Sequence, residues 1–276
     1  MGAYVETATR LGRYRLLDRI GGGATSVVYA AHDEGADRDV AIKMLAADLA
    51  DEREARVRFY REVLVTSGIH HRNIVAVLDV GEDQGRAYLV MELLRGRPLR
   101  DYLRIEAPPT LAARLDLIVQ LYEGLSAAHE QGVVHRDIKP NNLLVLDDGG
   151  LKILDFGLAR LQTSTLTASG QIVGTPDFMS PEQAEGQRVD ARSDIFSAAA
   201  VSYLILSGRS PFARRNLQET LIALVQADAE PLSGEQAPAE LRALVAKGLS
   251  RAVDDRYQSC AAVLADLRRV QHGMPS

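Results

Sequence analysis

The segment His135-Arg136-Asp137-Ile138-Lys139-Pro140-Asn141-Asn142 gathers a carboxylate, a lysine and a side-chain amide in one short run. After a short hairpin, Asp155-Phe156-Gly157 adds a second carboxylate. In the spacing H-R-D-x-x-x-x-N the aspartate can accept the proton of an incoming hydroxyl, while the asparagine and the later aspartate offer oxygens to Mg²⁺. A hard dication bound with a nucleotide takes a few oxygens from protein and fills its shell with phosphate and water, and Asn142 with Asp155 suits that demand. These residue types at these spacings point to phosphoryl transfer.

Such chemistry needs elements that hold the loops still. Thr110 precedes Leu111, Leu115, Ile118, Tyr122 and Leu125, an apolar series with helical spacing, and Gly132 follows as a stop. A buried helix there delivers the chain to Val133-Val134 and fixes the His135 to Asn142 loop. Leu143 to Leu146 and Leu151 to Leu154, joined by Asp147-Asp148-Gly149-Gly150, make a hairpin that returns Asp155 beside Asn142. Upstream, Tyr14 to Ile20 and Val27 to Ala31 flank Gly21 to Ser26, a hairpin whose glycines let backbone approach phosphates closely. Val40-Ala41-Ile42-Lys43 is a third strand with a lysine among apolar residues. A strand-edge lysine is more often solvated, so its functional reading depends on a partner carboxylate. Glu62, in the helix-forming stretch Asp51 to Ser67, is the candidate; Glu52 and Glu54 compete from the first turns, where acidic residues favour the helix dipole. Ile74 to Val80 and Ala87 to Met91 read as two further strands around a turn at Gly81 to Gly85. Adjacent His70 and His71 lack a third ligand and read as surface or capping groups, not a metal site.

In their order and separations these motifs make the chain resemble a eukaryotic-like, bacterial-type serine/threonine protein kinase catalytic domain, over residues 12–270. The resemblance implies a bilobal α+β fold, with a five-stranded antiparallel sheet and one helix in the small lobe and a mainly helical large lobe. Residues 1–11 would be an N-terminal extension, 12–94 the small lobe, 95–270 the large lobe and 271–276 a C-terminal tail. ATP would lie between the lobes against Ile20, Gly21, Gly23, Val28, Ala41, Lys43, Met91, Glu92 and Leu94, with Glu62 orienting Lys43. In this likeness the main chain of Glu92 and Leu94 meets the adenine, and Met91 stands at the gate of the back pocket. Asp137 accepts the hydroxyl proton, Lys139 steadies the γ-phosphoryl group, and Asn142 and Asp155 bind Mg²⁺, or Mn²⁺ in its place.

Lys139 and Thr175 favour serine and threonine as the hydroxyls phosphorylated, so the implied activity is protein Ser/Thr phosphorylation in bacterial signalling. Thr163, Ser164, Thr165, Thr167 and Ser169 lie in the polar stretch Leu158 to Thr175, where an added phosphate could pair with Arg136. His135 is expected to pack against Phe156, Asp194 to anchor the catalytic-loop backbone, and Glu182 to need a buried cation, with Arg256 the candidate. Three residues depart from the family pattern: Ser26 for a glycine, Ser180 for alanine and Ala199 for glycine. Ser26 gives a foothold to an alternative, a nucleotide-binding pseudokinase scaffold. Small-molecule phosphotransfer is disfavoured because the Gly174 to Glu182 segment suits polypeptides.

With 46% hydrophobic and 25% charged residues the composition is that of a soluble globular chain, and a net charge of −5 argues against a nucleic-acid binder. Cys260 is the one cysteine, which excludes an intramolecular disulfide and favours a reducing cytosol. It reads as a small buried hydrophobe on a terminal helix. No run approaches the roughly 20 apolar residues that span a bilayer. The apolar segment Ile195 to Leu206, which carries Ser197, Ser202 and Tyr203, reads as a core helix, and Met1 to Arg10 lacks a signal peptide's apolar stretch. Leu217 to Gln226, Pro238 to Leu249 and Ser259 to Gln271 read as three closing helices. The expected setting is cytoplasmic, with a membrane tether only in a longer native chain; the expected partners are protein substrates and a second copy for trans-autophosphorylation.

Overall fold

The computed structural model describes residues 10–23, 26–46, 55–57, 59–60, 67–104, 109–155, 176–226 and 228–273. The chain divides into two compact units, Met1–His70 with Val75–Arg95 and His71–Ile74 with Gly96–Ser276.

In the first unit, β-branched or aromatic residues occur in each of β2 (Tyr14–Gly22), β3 (Ser26–Asp33), β4 (Arg38–Leu45), β5 (Val77–Asp83) and β6 (Arg86–Glu92). With β1 (Arg10–Leu11) they form an antiparallel sheet in the order β1-β2-β3-β4-β6-β5. The sheet therefore has six strands where five were expected. The addition pairs Leu11 with Tyr14, and both side chains are buried in the core of this unit. Strand β5 also runs further than expected, to Asp83. Only Gln84 and Gly85 turn the chain, both at positive φ (49° and 77°), as a two-residue hairpin requires. Gly81 belongs to the strand because the Tyr88 ring covers it: a Cβ there would stand 2.3 Å from the tyrosine Oη. Residues 55–57 and 59–60 are helical, and Glu52, Glu54 and Glu62 lie outside the described residues.

Register sorts the sheet into two faces. Tyr29 pairs with Ile42, Ala31 with Val40, Ile42 with Val90 and Met44 with Tyr88, and this face packs into one apolar cluster with Leu11 and Tyr14. The alternate residues face the other way, since strand side chains have a period of two.

The second unit holds a three-stranded sheet of β7 (Gly96–Pro98), β8 (Leu143–Leu146) and β9 (Leu151–Ile153). Its helices are α1 (Leu99–Tyr102), α2 (Leu111–Glu130), α3 (Pro181–Ala184), α4 (Ala191–Ser207), α5 (Leu217–Gln226), α6 (Ala239–Gly248) and α7 (Cys260–Gly273). Thr110 Oγ1 accepts the Ala113 N–H to cap α2, whose residues Leu115, Ile118, Tyr122 and Leu125 are buried, and Gly132 ends the turn at φ +73°. Helix α4 starts at the Asp190 cap and stops at left-handed Gly208; Ser193 to Tyr203 are all buried, so it needs no polar face. It packs on α2 and α6, and α2 packs on α7. At one crossing a Cβ on Gly248 would come within 2.6 Å of the Ala199 methyl. The alanine that replaces the family's glycine is thus accommodated by a glycine opposite it.

One buried ion pair ties the C-terminal segment to α3. Arg256 Nη1 and Nη2 donate to Glu182 Oε1 and Oε2 at 2.8 and 2.9 Å, and the guanidinium lies over the Phe196 ring. Its remaining donors serve the carbonyls of Ser250, Arg251 and Arg192. Among the described residues no helix is long and apolar enough to cross a membrane.

Candidate active site

Helix α2 hands the chain to a loop whose backbone is gripped by a buried carboxylate. Asp194, in the first turn of α4 and 1% exposed, accepts the His135 N–H at 2.7 Å on Oδ2 and the Arg136 N–H at 2.8 Å on Oδ1. His129, near the end of α2, donates from Nε2 to the same Oδ2 at 2.8 Å, and its Nδ1 lies 3.5 Å from the buried Cys260 thiol. Burial pushes that thiol's pKa well up, so Cys260 is an inert neutral group, not a nucleophile.

His135 is fully buried and works through both ring nitrogens. Nδ1 accepts the Asp137 N–H at 3.2 Å, and Nε2 donates to the Leu154 carbonyl at 3.0 Å. Burial holds the imidazole below the ordinary histidine value, which keeps the neutral tautomer that this pattern requires. The expected partner Phe156 lies outside the described residues, as do Gly157 and the whole stretch 158–175.

Asp137 is where the polar groups converge. Its Oδ2 accepts from Lys139 Nζ at 2.7 Å and from Asn142 Nδ2 at 3.0 Å, and its carbonyl accepts the same Asn142 nitrogen at 2.8 Å. The one-turn helix Pro140–Asn142 brings Asn142 back toward Asp137, closed by the Asn142 N–H to the Lys139 carbonyl at 2.9 Å. The Leu154 N–H then donates to the Asn142 carbonyl at 2.8 Å, so the β8–β9 hairpin returns the chain to the metal-binding candidate Asn142 one residue before the exposed Asp155. Asn73, two residues after His71, docks the segment 71–74 on this hairpin, donating from Nδ2 to the Leu151 carbonyl and accepting the Ile153 N–H.

Asn142 uses its amide nitrogen on Asp137, which leaves the amide oxygen as its donor for a hard cation. With the Asp155 carboxylate this is an oxygen pair of the kind Mg²⁺ accepts. Among the described residues no group of three or more His, Cys, Asp or Glu could hold a metal ion, so an ion here would draw most of its shell from phosphate and water. The residues present fit the group.

In the first unit, Gly21 pairs with Val28, Val28 with Lys43, Lys43 with Leu89 and Ala41 with Met91. These residues share the sheet face opposite the apolar cluster, and there Lys43 is only 6% exposed. Ile20 falls at a register break between Arg19 and Gly21 and is 52% exposed, so it stands outside that row. Gly22 is the glycine the turn itself demands: it has φ +150°, and a Cβ would meet the Ser26 carbonyl at 2.9 Å. A Cβ on Gly23 would meet nothing within 4 Å. The Glu92 N–H bonds the Ala76 carbonyl at 3.0 Å, so any main-chain contact Glu92 makes with a base must use its carbonyl; Leu94 follows β6 outside any strand.

Three contributors went unread in the sequence. Leu89 belongs to the Lys43 row, as the alternation Ala87, Leu89, Met91 could have indicated. His129 holds Asp194, with no local signal to mark it. Gln183 donates to the Arg136 carbonyl at 2.7 Å, and the box Ser180-x-x-Gln183 at a helix start was visible.

The family model for the protein kinase domain matches residues 14–266. The chain is 38% identical over 272 residues to the serine/threonine-protein kinase PknB of Mycobacterium tuberculosis, covering 95% of this chain and 44% of that protein. It is 37% identical over 271 residues to PknB of Mycobacterium leprae, with 95% and 44% covered. Against the probable serine/threonine-protein kinase PknB of Corynebacterium glutamicum the identity is 36% over 277 residues, with 96% and 43% covered. The chain spans less than half the length of these curated relatives.

Proposed function

The chain belongs to the protein kinase domain family, and from that premise we propose that it transfers the γ-phosphoryl group of ATP to serine and threonine hydroxyls of proteins. The observation that carries this reading is the convergence of Lys139 Nζ and Asn142 Nδ2 on one carboxylate oxygen of Asp137. A carboxylate held by two donors in a fixed place can take the proton of a substrate hydroxyl. Lys139, beside it, supports the transferring phosphoryl group. Phosphoryl transfer makes little covalent demand on protein, so positioning and charge stabilisation supply most of the acceleration.

In this reading Gly21, Gly23, Val28, Ala41, Met91, Glu92 and Leu94, with Ile20 at the rim, bind the nucleotide, and Lys43, oriented by Glu62, takes its phosphates. Asn142 and Asp155 hold Mg²⁺ or Mn²⁺, which when bound neutralises phosphate charge. The open side of Gly23 supports the phosphate role of its loop, because the turn's own packing does not require that glycine. The domain acts in the cytoplasm on protein substrates, and a second copy serves for trans-autophosphorylation of the 158–175 stretch. The names of its relatives support serine and threonine as acceptors.

The test is incubation of the purified chain with γ-labelled ATP, Mg²⁺ and a generic basic protein, followed by phosphoamino-acid analysis. Phosphoserine and phosphothreonine are expected, with label abolished in Lys43→Met and in Asp155→Asn while far-UV circular dichroism stays unchanged. Wild-type turnover in either variant, or phosphotyrosine as the product, would overturn the reading.

A further inference from the structure

Arg136 is a non-glycine residue at φ +67°, a conformation that costs energy and persists only where the surroundings impose it. It stands directly before Asp137, so whatever imposes that conformation also aims the carboxylate. The Arg136 N–H is taken by Asp194. The next peptide, Arg136 to Asp137, is held at both ends: its N–H donates to His135 Nδ1 at 3.2 Å, and its carbonyl accepts Gln183 Nε2 at 2.7 Å. The Gln183 bond is the shorter of the two.

Gln183 is itself oriented. Its Oε1 accepts the Ser180 N–H at 3.1 Å and the Ser180 hydroxyl at 3.3 Å, and Ser180 is fully buried. With Oε1 so occupied, the amide can present only its NH₂ to the Arg136 carbonyl. Alanine at position 180, as the family pattern has it, would keep the backbone donor and lose the hydroxyl. Ser180 also caps α3, two residues after Phe178 ends the turn Pro176–Phe178, so the clamp joins that turn to the backbone beneath Asp137.

We propose that Gln183, oriented by Ser180, is a positioning residue for Asp137: by holding the Arg136 carbonyl it fixes the peptide plane from which the carboxylate projects. This rests on the kinase reading for its kinetic consequence, though not for its structural one.

Three variants test it: Gln183→Met keeps length without donors, Gln183→Glu sets an oxygen against the carbonyl, and Ser180→Ala removes only the orienting hydroxyl. For each, kcat and the KM for ATP are measured with a serine peptide, together with the thermal midpoint and amide hydrogen exchange at Asp137. Misplacing a catalytic group by about 1 Å costs on the order of 10²-fold. Both Gln183 variants should therefore lose roughly 10- to 100-fold in kcat at unchanged KM for ATP, with faster exchange at Asp137, and Ser180→Ala should fall between them and wild type. If Gln183→Met fails to fold, Gln183→Glu and Ser180→Ala give the same two readouts. Wild-type kcat and exchange in the folded variants would overturn the proposal, as would a kcat loss that only follows the loss of folded protein. An inactive wild-type chain would sink the kinase reading alone, because exchange at Asp137 reports the clamp without turnover.

Discussion

Removing the Arg256 guanidinium should unfold the second unit far more readily than any surface change. Arg256 and Glu182 side chains are 0% and 5% exposed, and the arginine uses five donor contacts: two on the carboxylate and three on backbone carbonyls. In Arg256→Ala the Glu182 carboxylate would stay buried with the Ser193 hydroxyl as its side-chain donor, the three carbonyls would lose theirs, and a void would open over the Phe196 ring. Breaking one partner of a buried pair costs roughly 3–5 kcal/mol, and loss of the arginine donors to the Ser250 and Arg251 carbonyls puts this case at about 4 kcal/mol. At roughly 2–4 °C per kcal/mol for a chain of this size, the midpoint should fall by roughly 8–16 °C. Glu182→Gln keeps the shape and leaves the arginine its three carbonyls, so its loss should be nearer about 2 kcal/mol. The chain has no tryptophan, so urea and thermal melts are best followed by far-UV circular dichroism.

Acid gives an independent check of the same pair. Burial pushes the Glu182 carboxyl up, but hydrogen bonds from Arg256 and Ser193 outweigh it and hold the pKa below the ordinary glutamate value. A depressed folded pKa means that the stabilisation is fully present above the unfolded value and is lost as pH falls through the folded one. Wild type should show that acid limb and Glu182→Gln should lack it. A loss under about 1 kcal/mol in Arg256→Ala, the range of exposed pairs, would refute the reasoning.

Asp194→Asn should leave one oxygen to serve three N–H donors, loosening the His135 and Arg136 backbone; kcat should fall by roughly 10²-fold with helical content retained, and an unchanged kcat would refute the anchoring role. Mass spectrometry of ATP-treated protein should find phosphate on Thr163, Thr165 or Thr167, and an unmodified stretch at full activity would reject autoactivation.

Much of the site was legible because its residues are close in sequence. Asp137, Lys139 and Asn142 meet within one loop, and the hairpin that returns Asp155 declares itself through Leu143 to Leu146, Gly149-Gly150 and Leu151 to Leu154. Helix α2 announced both its ends through Thr110 and Gly132. What stayed hidden depends on distant surfaces. Gly81 looked like a turn residue, yet it is small because Tyr88 lies against it. Strand β1 has two residues, too few for any alternation to show. Gln183 could be read as half of a capping box, but its hold on a carbonyl 47 residues away could not. The Glu182–Arg256 pair was legible for another reason: a carboxylate in an apolar setting demands a cation, and the family resemblance supplied the position.

The most direct measurement compares nucleotide affinity with phosphoryl transfer in Asp137→Asn. The variant keeps the side-chain shape and an oxygen that Lys139 and Asn142 can still approach, and it removes only the group able to take a proton. Wild-type affinity for MgATP with transfer to a serine peptide reduced by at least about 10²-fold is the expected result. Transfer at the wild-type rate, with ATP bound equally well, would contradict the assignment of Asp137 as the acceptor of the hydroxyl proton.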